Sequence, residues 1–113
     1  MNPELKDLWT TKLRSGEYQQ GKGALRRRGE DFDSFCCLGV LCEIAVEDGQ
    51  VHLSEQPEVV GKNCNYDGEG AVLPVDLEAW SGIGECERQE LMDMNDTGGK
   101  TFSEIADWIE ENL

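Results

Sequence analysis

Phe35-Cys36-Cys37-Leu38-Gly39-Val40-Leu41-Cys42 is the most apolar stretch of the chain, and from there to Val46 only Glu43 is charged. A helix that is apolar on almost every side has no face to offer water, so it belongs in the middle of a fold. The stretch predicts a buried central helix over about residues 34–48, capped by Asp33 or Ser34 and ended at Asp48-Gly49. Gly39 costs a helix about 1 kcal/mol relative to alanine. Close approach by another backbone is the expected compensation.

Three of the five cysteines, Cys36, Cys37 and Cys42, fall in this segment, with Cys64 and Cys86 elsewhere. Adjacent helical residues point about 100° apart, so Cys36 and Cys37 diverge, as do Cys37 and Cys42 five positions apart. A structural zinc site needs four converging ligands and commonly uses a Cys-x-x-Cys knuckle; the chain has none. Its single histidine, His52, has no evident nucleophilic cysteine to serve. The thiols read as small packing groups. An odd number of them, clustered on one helix, favours a reducing compartment.

Outward from the central segment, Asn2 and Pro3 open an amphipathic helix in which Leu5, Leu8, Trp9 and Leu13 share one face, ending near Ser15-Gly16. Around Gly21-Lys22-Gly23, residues 18–20 and 24–26 predict a short hairpin. Val51-His52-Leu53 and Ala71-Val72-Leu73 are candidate short strands. Val75 to Trp80 and Glu87 to Met94 are short helical stretches. Thr101 and Glu104 form a capping box for a last helix, with Phe102, Ile105, Ala106, Ile109 and Leu113 on one face. The expectation is a single α-rich α+β domain, with N- and C-terminal helices packed on the central one and a small sheet of short strands.

The formal net charge is −14, and its distribution is uneven. Residues 1–30 carry a net +3 and residues 31–113 a net −17. Such a surface repels nucleic acid and attracts basic proteins, and it suits either a patch that docks on a basic protein or a mimic of nucleic acid. No run approaches the roughly 20 apolar residues that span a bilayer, and the N-terminus lacks an apolar signal region. No membrane association is expected, and the cytoplasm is the expected location.

Three groups of residues are candidates for function. Glu104, Asp107, Glu110 and Glu111 line the polar face of the last helix and suit a partner protein with a basic surface. Lys22, Arg26, Arg27 and Arg28 can hold an anionic ligand such as a nucleotide, or can pair with the chain's own carboxylates. Asp93, Asn95, Thr97 and Glu104, with Gly98 between, follow part of the spacing of a calcium loop. Against calcium, Thr97 replaces the usual Asp or Asn, and Glu104 already serves the capping box. No cofactor is otherwise expected. The chain lacks a phosphate-binding glycine loop, a paired-carboxylate site and a Ser/His/Asp arrangement, so a non-enzymatic role is the leading expectation.

Three segments, in this order, carry a family resemblance. They are Leu13-Arg14-Ser15-Gly16-Glu17-Tyr18-Gln19-Gln20-Gly21 with Ala24-Leu25, then Phe35 to Cys42, then Asn95-Asp96 with Phe102-Ser103-Glu104-Ile105-Ala106-Asp107-Trp108-Ile109-Glu110. The pattern resembles a family of short proteins of unknown function from tailed bacteriophages and prophages, and is similar to a domain of unknown function in actinobacteria. The resemblance implies a phage origin and a role in host takeover or counter-defence. It brings no reaction, substrate or catalytic residue with it.

Overall fold

The computed structural model describes residues 1–55 and 59–113. Its helices are α1 (Pro3–Arg14), α2 (Cys37–Glu47), α3 (Val75–Ser81), α4 (Glu85–Asp96) and α5 (Phe102–Asn112). Its strands are β1 (Gln19–Gln20), β2 (Arg26–Arg27), β3 (Ser34–Phe35), β4 (Leu53–Glu55) and β5 (Asn63–Tyr66). They form one mixed sheet in the order β1-β3-β2-β5-β4, in which only the β1–β3 pair is parallel. The fold is α+β and helix-rich, as the sequence predicts.

The central helix is buried along nearly its whole length, from Cys37 through Ala45 with Glu43 as the partial exception. It starts later than expected. Ser34 and Phe35 pair with β1 on one side and β2 on the other, so their backbone groups serve the sheet. The cap is Cys36, in extended conformation, whose thiol sulfur accepts the Gly39 N–H at 3.3 Å. At Gly39 the expected close approach is present. A Cβ there would overlap the carbonyl oxygen of Leu25, which accepts the Cys36 N–H.

Inserting β3 between β1 and β2 also removes the predicted hairpin. Phe35 holds this arrangement: its ring meets Tyr18 edge-on at 5.1 Å and lies 5.2 Å from the Arg26 guanidinium carbon. In the second half of the sheet, the strand is Asn63–Tyr66 and not Ala71–Leu73. Cys64 and Tyr66 alternate inward from it, and Asp67-Gly68, both with positive φ, turn the chain at its end. The other predicted strand begins at Leu53, because the His52 N–H is taken by the Asp67 carboxylate at 3.0 Å.

Helix packing differs from expectation in one respect. α1 lies against α2 and, more extensively, along α5, and α4 packs on both α2 and α5. Trp9 of α1 is fully buried and donates its indole N–H to the Cys37 carbonyl at 3.0 Å. Leu8, grouped by spacing with the core face of α1, instead remains 43% exposed. Leu5, Trp9 and Leu13 already fill the stripe facing α2 and α5, and Leu8 falls at its edge.

Candidate partner-binding surface

The arginines after the first strand are turned to structural use. Arg26 Nε donates to Asp33 at 2.8 Å and its Nη1 donates to Glu43 at 3.0 Å, while the Tyr66 hydroxyl donates to the other Glu43 oxygen at 2.6 Å. Burial penalises the Arg26 charge, but the Asp33 hydrogen bond and the nearby Glu43 carboxylate hold it ionised. Burial pushes the Asp33 carboxyl up, yet hydrogen bonds from Arg26 and the Gly29 N–H outweigh this and hold it below the usual carboxylate range. Arg28 lies 3.8 Å from Asp33, and Arg27 donates to Asn63 at 3.3 Å. Arg26 and Arg28 do line an open cavity of about 440 Å³, but Glu17, Asp31 and Asp33 line it too. That carboxylate excess makes it a poor seat for an anion, and Lys22 is not among its lining residues.

The calcium-like spacing is not realised as a loop. Asp93 and Asn95 belong to α4, and the Asp93 carbonyl accepts the N–H groups of Thr97 and Gly98 to close that helix. The Thr97 hydroxyl also donates to this carbonyl, at 3.1 Å. Asn95 is fully buried. Its Oδ1 accepts the Cys37 N–H at 3.2 Å and a Gln20 side-chain N–H at 3.0 Å, and its Nδ2 donates to the Gly21 carbonyl and to Asp96. Glu104 accepts the Thr101 N–H at 3.1 Å in the capping box. With these groups committed elsewhere, the set does not converge on a cation, and among the described residues no three His, Cys, Asp or Glu side chains are placed to hold one.

The acidic face of α5 both pairs with α1 and lines a groove, and Asp107 takes part in each. Asp107 and Glu110 clasp Arg14 of α1, each at 2.7 Å. The Arg14 hydrogen bond holds the Glu110 carboxyl below its ordinary value. Glu104, Asp107 and Glu111, with Met94, Lys100 and the half-buried Trp108, line a shallow groove of about 310 Å³. Lys100 is the one cation of that lining, 4.0 Å from Glu104. The Thr101 backbone N–H, foremost, holds the Glu104 carboxyl below its ordinary value. A partly exposed indole beside carboxylates suits a lysine or arginine side chain, whose charge meets the acids and whose stem or guanidinium plane packs on the aromatic surface. Sequence reading separated the acidic and apolar faces of α5 but passed over Trp108. The signal was its spacing, four residues after Glu104 and three before Glu111.

The three cysteines of the central segment are buried as neutral thiols. All five are free, and only Cys86 is exposed. Burial pushes the Cys36 thiol up to about 11 and raises Cys37 and Cys42 as well.

Over residues 1–90 the chain matches the model of a domain of unknown function, DUF8296, and it belongs to that family. No curated protein and no solved structure matches it. The matched span runs from α1 into α4, so the acidic face of α5 lies beyond it.

Proposed function

We propose that this protein is a non-enzymatic bacteriophage accessory protein that binds a basic protein of its bacterial host, in the host cytoplasm, and inhibits or redirects it. The observation that carries this reading is the groove on α5, where a half-buried indole lies among the carboxylates Glu104, Glu111 and the Arg14-paired Asp107. Charge supports it at longer range. Residues 31–113 carry a net −17, enough to steer a basic partner toward the surface from beyond contact distance. The phage assignment draws on the resemblance of the segments around Gly16, Cys37 and Phe102. The internal use of Arg26 and Arg28 favours this reading over an anionic-ligand site.

Affinity capture from lysate of a bacterial host tests the proposal. One dominant partner, held at low ionic strength and shed as salt is raised, is the expected result. Failure to recover any protein at low salt contradicts it.

A further inference from the structure

We infer that a second groove, between α1, the end of α2 and α3, receives a basic amphipathic helix of the partner. This rests on the reading of the protein as a binder of basic surfaces and locates a separate contact for it. The groove has a volume of about 410 Å³. Its floor is apolar: Leu5 and Leu8 from α1, Ile44 from α2 and Trp80 from α3. Its rim carries Glu4, Glu47 and Asp48, all exposed, and no cation lines it. Among the described residues, none of these three carboxylates forms an ion pair.

Two further features point the same way. α2 ends at Glu47 with no basic residue in its last turn, so the negative end of its dipole adds to the two carboxylates there. Leu8 is the apolar side chain that the packing of α1 leaves out, 43% exposed at the groove. An apolar floor within an acidic rim that forms no ion pair among the described residues is complementary to a helix with leucine-like residues on one face and lysine or arginine along its flanks. A purely polar basic segment would leave Leu8 and Trp80 in contact with water. An apolar segment without charge would leave the rim unanswered.

The test uses a fluorescently labelled amphipathic helical peptide of leucine and lysine, with a leucine and glutamate peptide of the same pattern as control. Binding to the intact protein is followed by anisotropy at low salt. The double variant Leu8→Lys with Glu47→Lys alters exposed positions, and its fold is checked by circular dichroism. It should weaken binding of the basic peptide by about tenfold or more, because both the apolar seat and the rim charge are lost. The variant Glu111→Lys, on the α5 groove, should change it by less than about threefold, as expected for a distant surface charge. The glutamate peptide should not bind.

Undiminished binding to the double variant overturns the inference, as does absence of any binding to the wild type. If only Glu111→Lys weakens binding, the α5 surface keeps its role and this groove loses it. If instead the protein self-associates in sedimentation, and Leu8→Lys abolishes this while peptide binding is absent, the groove is an interface between two copies and the inference is wrong.

Discussion

Single residues decide several features of this fold. Gly39 is required because the Leu25 carbonyl occupies the space where a side chain would begin. Helix propensity alone favours Gly39→Ala by about 1 kcal/mol. The overlap with a backbone that also receives the Cys36 N–H reverses the sign, and a net loss of about 2 kcal/mol is expected in urea unfolding. Asn95 fills both its donor and acceptor roles in a buried position, tying β1 and the start of α2 to α4. Its chemistry was visible in the sequence, but its direction was not: the spacing suggested a ligand, and burial made it a joint.

Arg26 and Asp33 give a pH-dependent prediction. Asp33 has a carboxyl held below its ordinary range, so its contribution is complete above that range and fades as pH falls through the depressed value. Asp33→Asn should therefore destabilise the protein at neutral pH, and the gap to wild type should narrow below about pH 4. An unchanged gap from pH 7 to pH 3 would contradict this account of the pair. Arg26→Ala, which takes a shared cation from two part-buried carboxylates that keep only weaker partners, should cost roughly 2–3 kcal/mol at neutral pH. Thiol labelling of the native protein should modify Cys86 first, with the buried cysteines reacting only on unfolding.

At the level of elements, the helices were more legible than the strands. Capping groups announce helix ends locally, as Asn2 does for α1 and the Thr101–Glu104 box does for α5. The two-residue strands announce nothing, because their pairing is set by distant partners. Gln20 and Arg26 meet Phe35 and not each other, and this follows from Phe35 packing against Tyr18 and Arg26. The candidate surface was legible as charge. Its grooves were not, since Trp80, Trp108 and Leu8 acquire their exposure only from the packing of α1, α3 and α5.

The α1–α5 contact separates two kinds of force. The Arg14 clasp to Asp107 and Glu110 is partly solvent-exposed, so Arg14→Ala should cost no more than about 1 kcal/mol, and less at high salt. Trp9→Ala, which empties a fully buried site and abandons the Cys37 carbonyl, should cost about 3–5 kcal/mol. Thermal or urea unfolding of the two variants distinguishes a contact held by packing from one held by charge.

For the whole molecule, the excess of 24 acidic over 10 basic residues is the dominant fact. Self-repulsion at this charge should make the free protein more stable as salt rises, while the complex with a basic partner weakens. Opposite salt responses of folding and binding follow from one charge distribution. The most direct measurement is quantitative capture from host lysate at about 50 and 500 mM NaCl, a range over which exposed charges become strongly screened. It compares the wild type with a variant carrying Asp107→Asn and Glu111→Lys. The account predicts one dominant partner with the wild type at low salt, and sharp loss of that same partner both at high salt and with the variant. Equal recovery under all of these conditions would contradict it.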